Sequence, residues 1–284
     1  MAIVDSEMVI APGGVRRRHL VKKLGASNLI GHRGPHRLEL DGRGAVVRRL
    51  GRALTASGKG PLFPRSIRQP ASVAGMLGAG WIAYAEWRND SGSPVSLFRA
   101  TWTVPPAPLT QSGQSVMYFN GIQSDTYILQ PVLQWGETAL GGGNYWAVAS
   151  WLAARPHVVA HRSPQLVPVQ TGQVLEGVIS LVDGTSPGPY SYNCQFVGLG
   201  GTSLDVQGID ELTVCVATLE AYQITAGSDY PGGGVNTQMT GIQIQSNGVD
   251  CTLDWQTTDA VVDCGQHADL ISNASPSGEI DLVS

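Results

Sequence analysis

One glutamate stands out in a long apolar segment of the chain. Glu220 is the only charged residue between Leu212 and Thr225, and its neighbours at a spacing of two, Thr218 and Tyr222, are semi-polar. Residues two apart share one face of a strand, so this face is expected to line a groove. A glutamate partly desolvated in a groove has a pKa above its usual value of about 4.3, which suits a general acid or base.

Two glutamines form a second polar anomaly. Strand alternation within Ile128–Trp135 places Gln130 and Gln134 on the same face, provided that Pro131 introduces no bulge. Amide groups on an apolar face cost free energy unless they find hydrogen-bond partners. Together with Glu220, these glutamines are the residues from which a site is predicted.

Common catalytic and metal-binding patterns do not explain the chain. It has no GxSxG elbow between a strand and a helix, no HExxH, no P-loop and no GxGxxG after a strand. His157 and His161 are four residues apart, which on a strand is about 13 Å, too far for one metal ion. We interpret them as polar residues of an edge strand.

An acidic cluster near the C-terminus is the other candidate metal site. Asp259, Asp263, His267 and Asp269 could hold calcium, but they lack the DxDxDG spacing of a calcium loop. A solvated loop is the favoured interpretation, and no metal or other cofactor is predicted.

From Trp81 onward, the pattern is that of an all-β domain. Short alternating or β-branched runs are separated by Gly, Pro, Asn and Asp clusters, without helical patterns between them. Such strands indicate two antiparallel sheets packed face to face, a β-sandwich. Strands are predicted near residues 80–88, 95–104, 114–122, 126–135, 144–152, 157–162, 173–182, 190–197, 212–225, 237–246, 250–256 and 268–273.

Charge divides the chain near residue 70. Residues 1–68 hold 14 of the 18 Lys and Arg and carry a formal charge of +10, whereas the rest carries −14 and holds all seven Trp. Segments of opposite charge have different roles and attract one another. Residues 1–72 are therefore predicted to be a basic, poorly structured arm or pro-segment, lying on a β-sandwich domain of residues 73–284.

The arm has too few aromatic residues to fold alone. Nucleic-acid binding is the alternative role for a basic segment, but no motif scaffold accompanies it, so a nucleic-acid partner is disfavoured. No apolar run approaches the roughly 20 residues that span a bilayer, and no membrane partner is predicted. We expect an extracellular monomer, although no apolar signal-peptide core follows the N-terminal basic residues.

Four cysteines, at positions 194, 215, 251 and 264, allow three disulfide pairings. The nearest-neighbour arrangement, 194–215 with 251–264, is preferred, and the absence of CxxC spacing disfavours a zinc ribbon. Four buried reduced thiols are the alternative, because cysteine is often buried without a bond.

Six short motifs follow one another over roughly residues 80–245. They are Gly80-Trp-Ile-Ala83, Ala100-Thr-Trp-Thr-Val-Pro105, Tyr118-Phe-Asn-Gly-Ile122, Ile128-Leu-Gln130, Asn144-Tyr-Trp-Ala-Val-Ala-Ser-Trp151 and Leu219-Glu-Ala-Tyr222. Their order resembles that of the eqolisins, the glutamic peptidases of fungi and some bacteria.

The resemblance implies a concanavalin-like or jelly-roll sandwich that cleaves polypeptides at acidic pH in its concave groove. Glu220 would take a proton from the attacking water and deliver it to the leaving amine, and Gln130 would hydrogen-bond the oxyanion. The arm would correspond to a propeptide, displaced when acid protonates the domain's carboxylates. The residues expected to contact the substrate are Phe119, Gln134, Trp135, Trp146, Trp151 and Tyr222.

Two other functions remain open. A non-catalytic protein would let Gln130 and Glu220 satisfy each other's hydrogen bonds. A carbohydrate-binding or carbohydrate-cleaving sandwich would instead present a solvent-facing row of aromatic rings to stack on sugars. The candidates for such a row are Trp102, Tyr118, Trp135, Tyr145, Trp146 and Trp151.

Overall fold

The structure, a computed structural model, describes residues 8–34, 36–52, 77–154, 159–185 and 188–284. The predicted boundary between residues 72 and 73 lies outside these ranges. The described chain forms strands β1 (Met8–Ala11), β2 (Gly14–Arg17), β3 (Val21–Lys23), β4 (Leu29–Arg33), β5 (His36–Leu40), β6 (Val46–Arg52), β7 (Gly80–Arg88), β8 (Val95–Thr103), β9 (Ser115–Gln123), β10 (Tyr127–Thr138), β11 (Gly141–Ala154), β12 (Ala160–Arg162), β13 (Val167–Pro168), β14 (Val174–Asp183), β15 (Tyr190–Phe196), β16 (Leu204–Ile209), β17 (Val214–Tyr222), β18 (Asn236–Ser246), β19 (Val249–Asp250), β20 (Gln256–Asp259), β21 (His267–Ser272) and β22 (Gly278–Val283).

Helix is confined to two single 3₁₀ turns in the described ranges, Arg18–Leu20 and Gly227–Asp229. Neither is long or apolar enough to cross a membrane.

Two large sheets pack face to face. The first, which we call the groove sheet, has the strand order β20-β7-β17-β9-β10-β11-β12-β3, with β13 beside β11. The second, which we call the outer sheet, has the order β21-β22-β18-β8-β14-β15-β16-β4-β5-β6, with β19 beside β18. Neighbouring strands are antiparallel except at β12–β3 and β16–β4, which are parallel. The predicted all-β sandwich is confirmed.

The central strands of the groove sheet, β9, β10 and β17, are buried on both faces along most of their length. One face packs on the outer sheet in the inter-sheet core, where Leu129 of β10 and Trp102 of β8 belong to the same apolar cluster. The opposite face carries a second cluster, the groove cluster, in which Val9 and Ala11 of the arm pack with Trp151 and other residues of the groove sheet. The arm therefore covers the face that a sandwich alone would leave open.

The described part of the arm contains six strands and one 3₁₀ turn, so the prediction of a poorly structured arm is wrong for residues 8–34 and 36–52. β3 extends the groove sheet beyond β12, β4–β6 extend the outer sheet beyond β16, and the β1–β2 hairpin lies on the groove cluster. The arm needs no core of its own, because it pairs with the open sheet edges of the sandwich and packs on its apolar face.

The predicted strand at residues 250–256 is also wrong. β19 pairs with β18 of the outer sheet, and β20 pairs with β7 of the groove sheet. Residues 251–255 therefore cross between the sheets and cannot belong to one strand. The sequence prediction also missed β13, β16 and β22, although β16 buries Leu204 and Val206 and exposes Asp205 and Gln207 in clear alternation.

All four cysteines are free, so the preferred disulfide pairing is wrong. Cys194 lies on β15 of the outer sheet and Cys215 on β17 of the groove sheet, and both face the inter-sheet core. Burial raises the pKa of both thiols. Both therefore stay protonated and act as small apolar side chains.

Gly136 is required at the register shift where β10 turns toward β11. Its φ is +89°, and a Cβ there would lie 2.1 Å from the backbone oxygen of Gln114. At Gly198, φ is +74° and no atom lies within 4 Å of an added Cβ. An added side chain would therefore clash with the backbone at position 136 but not at position 198.

We expect Gly198→Ala to lower the free energy of unfolding by about 1–2 kcal/mol, the cost of the left-handed backbone. Gly136→Ala should lower it by about 4 kcal/mol or more, because a backbone clash is added. Urea unfolding followed by tryptophan fluorescence measures both. Equal losses in the two variants would contradict the role assigned to the close approach at Gly136.

Candidate active site

Glu220 lies near the end of β17, between Met117 of β9 and Trp81 of β7. Alternation along β17 places it on the same face as Val214 and Val216, which belong to the groove cluster. Its side chain is fully buried. The prediction that Glu220 faces a groove therefore agrees with its position, and the arm fills that groove.

The turn of the β1–β2 hairpin caps this carboxylate. The Gly13 N–H donates to Glu220 Oε1 at 3.0 Å and to Oε2 at 3.2 Å, and the Gly14 N–H donates to the same carboxyl. Gly13 and Gly14 have φ values of 79° and 118°, which only glycine adopts readily. Two successive amides can thus converge on one acceptor. The Tyr222 hydroxyl donates to Glu220 Oε1 as well.

Burial raises the pKa of Glu220 to about 7, although hydrogen bonds from Tyr222 and Gly13 and the nearby Arg16 cation act to lower it. Burial and the neighbouring Glu220 raise the pKa of Tyr222, so its hydroxyl remains a donor. In the docked form, Glu220 is therefore mostly protonated below about pH 7.

Arg16 is the cation beside this carboxyl. Its side chain is fully buried, and its Nη2 donates to the Ala154 carbonyl at 2.6 Å and to the Gly13 carbonyl at 3.1 Å. Burial lowers the pKa of Arg16 to about 10, while Tyr222 and Glu220 act to raise it. The guanidinium therefore stays charged at physiological pH and ties the hairpin to β11.

Gln130 lies on β10 with its side chain on the face that the arm covers. The β9–β10 register continues without a shift past Pro131, and Ile128 and Val132 on either side of Gln130 belong to the groove cluster. The predicted alternation is confirmed. The Gln130 side chain is fully buried, and neither its amide nitrogen nor its oxygen has a hydrogen-bond partner. Such an amide calls for a ligand or water that the fold does not supply.

Gln130 and Glu220 do not bond to each other. Glu220 lies beside Met117, whereas Gln130 packs against Gly121, four residues further along β9. Phe119 lies between these two positions on the same face of β9 and belongs to the groove cluster. The expectation that Gln130 and Glu220 satisfy each other's hydrogen bonds is therefore wrong, and Gln130 is too far from Glu220 to act on the same carbonyl group. Gln134 is the glutamine beside Glu220, because the two residues flank Met117 of β9 from opposite sides.

The other predicted substrate contacts divide between the two faces. Phe119 and Trp151 belong to the groove cluster, and Gln134 is on their face, with its Nε2 donating at 3.3 Å to the Gly136 and Gly141 carbonyls. Trp135 and Trp146 instead pack edge to face in the inter-sheet core, with ring centroids 5.5 Å apart. Placing these two in the groove was wrong, because strand alternation turns them to the other face.

The aromatic row expected of a carbohydrate-binding groove is not formed either. Trp102 and Tyr118 also lie in the inter-sheet core, Trp151 is buried under the arm, and Tyr145 is the member that is exposed, at 43 %. These six residues therefore do not form one solvent-facing surface.

The candidate metal ligands do not form a metal site. The described part of the chain contains no group of three or more histidine, cysteine or acidic side chains placed to hold an ion. Asp259 accepts a hydrogen bond from the Ala268 N–H at 2.8 Å, and His267 lies 3.3 Å from Asp269.

His157 lies outside the described residues. His161 is fully buried, so its interpretation as an edge-strand polar residue is wrong. β3 of the arm pairs with β12 and removes that edge.

Sequence reasoning missed Gly13, Gly14 and Arg16. The signal was the turn sequence Pro12-Gly-Gly after the short apolar run Met8–Ala11, followed after Val15 by three arginines. A Pro-Gly-Gly turn predicts a hairpin, but nothing in it predicts the carboxyl that the hairpin contacts.

No family model matches the chain. No curated protein sequence matches it either.

Several solved structures are similar to it. Scytalido-glutamic peptidase, in one structure with a peptide-based transition-state analogue and in another with a transition-state analogue inhibitor, is 16 % identical. Each comparison covers 72 % of this chain and 98 % of the other, with a TM-score of 0.49. SCP-B, a member of the eqolisin family of peptidases in complex with the tripeptide Ala-Ile-His, is 14 % identical with the same coverage and a TM-score of 0.46. These neighbours are peptidases. At this similarity they do not decide the function of this chain, which rests on its own residues.

The Tyr222 hydroxyl stabilises the ionised form of Glu220, so removing it should raise the pKa of Glu220 above about 7. We expect this result for Tyr222→Phe in an NMR titration of the Glu220 carboxyl carbon. Tyr145→Phe, at an exposed tyrosine of β11, is the matched control and should leave that pKa unchanged. An unchanged or lower pKa in Tyr222→Phe would show that the hydroxyl does not act on the carboxylate.

Proposed function

We propose that this protein is a latent, acid-acting glutamic endopeptidase whose groove is closed by its own N-terminal arm. The observation that carries the proposal is a pair of fully buried polar groups on one face of the groove sheet. One is Glu220, which the arm caps, and the other is Gln134, which flanks Met117 of β9 from the side opposite Glu220 and whose side-chain oxygen has no partner. The motif order that resembles the eqolisins supports the same activity, although it places the catalytic glutamine at Gln130.

In the proposed reaction, the arm leaves and a peptide and a water molecule enter the groove. Glu220 takes a proton from the water while the water oxygen bonds to the peptide carbonyl carbon. The Gln134 amide donates a hydrogen bond to the oxyanion, an interaction worth about 3–4 kcal/mol in the transition state of other hydrolases. Glu220 then gives its proton to the nitrogen, and the C–N bond breaks to release the amine.

The docked arm would prevent this reaction at its first step. Glu220 can serve as a base only when its oxygens face a water molecule, and in the docked form they accept hydrogen bonds from Gly13 and Tyr222. Val9 and Ala11 occupy apolar surface in the groove that a peptide would need. The docked form is therefore inactive in this proposal, and residues 8–17 act as the inhibitor.

Charge would favour release in acid. The arm's residues and the domain carry formal charges of opposite sign at neutral pH. As the domain's carboxylates become protonated, this attraction weakens. A polypeptide substrate, action at acidic pH and an extracellular, monomeric state belong together in this proposal.

Cleavage of an unfolded protein at pH 2–5 by the full-length chain tests the function. Glu220→Gln should lose at least 1,000-fold in activity, because the base is removed, and Gln134→Ala about 100- to 1,000-fold, because the oxyanion loses its donor. Glu176→Gln and Gln195→Ala, both on strands of the outer sheet, are the matched controls and should cleave like the wild type. Undiminished cleavage by either site variant would end the assignment.

Latency is tested in the same assay by loosening the hairpin. Arg16→Gln removes the buried cation that joins the hairpin to the Ala154 carbonyl. We expect this variant to cleave substrate at pH 5–6 at least tenfold faster than the wild type. Arg99→Gln, at a half-exposed arginine of β8, should leave the rate unchanged. Equal rates for Arg16→Gln and the wild type would mean that the hairpin does not limit activity.

A further inference from the structure

His161 is a buried histidine that the proposed reaction does not use. It lies on β12, between Leu152 of β11 and Lys22 of β3 in the strand register. Leu152 belongs to the inter-sheet core, and the His161 side chain is fully buried. Neither ring nitrogen has a hydrogen-bond partner. A buried imidazole without partners costs free energy, and the fold gives no compensation for it.

The strongest charges acting on His161 are four cations of the arm, and they oppose its protonation. They come from Lys22 of β3, Arg37 of β5, Arg48 of β6 and Arg16 of β2. β11, the other strand beside it, presents no charge to it. No described hydrogen bond or ion pair joins His161 to a carboxylate. Arg16 and Arg37 are buried, whereas Arg48 is 45 % exposed and paired with Glu39. A proton on His161 would therefore add a positive charge to a region that already holds two buried arginines.

Among the four cations, Arg37 lowers the pKa of His161 most. Its own buried charge has few favourable contacts. Its side chain is fully buried, and none of its guanidinium nitrogens has a hydrogen-bond partner. Its one described favourable contact is with the Tyr127 ring, whose centroid lies 5.3 Å from the guanidinium carbon. Glu39, the acidic residue on the same strand, is engaged with Arg48 at 2.5 Å and with Asn28 and Gly25.

We propose that His161 is the acid sensor that releases the arm from the groove. The cations that oppose its protonation leave with the arm, so the released form can hold a proton that the docked form cannot. The biological meaning of this switch rests on the proposed peptidase function, but the switch itself is a property of the arm and the sandwich.

Protonation of His161 shifts the equilibrium between the docked and released arm in one definite direction. With the arm docked, burial and the four cations hold the pKa of His161 well below 6.5, whereas the released imidazole titrates near its ordinary value of about 6.5. The released form therefore binds an extra proton below about pH 6.5. For this one group, the equilibrium shifts toward release up to tenfold for each pH unit, until the docked His161 is protonated as well.

Glu220 acts in the opposite sense over part of this range. Its pKa is about 7 in the docked form against an ordinary 4.5, so the docked form binds the extra carboxyl proton between these values. The two groups nearly cancel from about pH 6.5 to 4.5, and below that the His161 contribution acts without opposition. The threshold for release should therefore lie in the acidic range. His32 of β4, whose pKa burial also lowers, adds to the His161 effect.

Hydrogen exchange at the Gly13 amide in the full-length chain measures the release, because that amide is protected by its bond to Glu220. We compare the wild type with His161→Leu between pH 6.5 and pH 4.5, correcting for the intrinsic exchange rate. Glu220 is present in both proteins, so its contribution cancels. Over these two units, protection should stay nearly level in the wild type, where the two titrations cancel, and rise about 100-fold in the variant, where only Glu220 opposes release.

Parallel pH curves for the two proteins would overturn the proposal. His267→Leu, at an exposed histidine of β21 that ion-pairs with Asp269, is the matched control and should follow the wild type. If His161→Leu does not fold, an NMR titration of the wild-type His161 ring decides the question. A ring that titrates near pH 6.5 while Gly13 stays protected would equally overturn the proposal.

The Glu220→Gln variant separates the switch from the catalytic proposal. It removes the opposing titration and keeps a side-chain oxygen for the Gly13 amide, so its arm should be released at a higher pH than that of the wild type. Because amide exchange requires no cleavage, release can follow His161 even if no protein substrate is ever cut. Conversely, cleavage that depends on Glu220 but shows no dependence on His161 would refute only the sensor.

Discussion

The contact between the Gly13 amide and the Glu220 carboxyl is the interaction on which the rest of this structure depends. A carboxyl buried on a sheet face needs donors, and the sandwich itself contributes the Tyr222 hydroxyl. The remaining described donors come from a hairpin more than 200 residues earlier in the chain. Because the hairpin turn must sit over Glu220, its strands lie on the groove cluster, and the rest of the arm reaches the edges of both sheets.

Strand alternation accounts for what could be predicted of the site. A period of two was enough to place Gln130 and Gln134 on one face, since Pro131 does not shift the register. The same rule applied to Trp135 would have turned it to the opposite face, where it does lie. That error came from choosing residues by aromatic character and motif similarity instead of by their position along the strand.

The arm could not be predicted in the same way, because its structure depends on surfaces that are distant in sequence. Its short runs lack a core, and composition alone argued for disorder. What orders β3 and β4 is parallel pairing with β12 and β16, and a pairing partner more than 100 residues away leaves no trace in local periodicity. The contacts of Arg16 and His161 were hidden for the same reason.

The parallel pairings have a consequence for the form without the arm. When β3 and β4 leave, β12 and β16 lose their outer neighbours, and each presents a row of unused backbone donors and acceptors to solvent. Exposed strand edges of this kind are templates for any extended chain, including another molecule of the same protein. The arm therefore protects the fold as well as the groove, and a molecule that has lost it gains two sites of self-association.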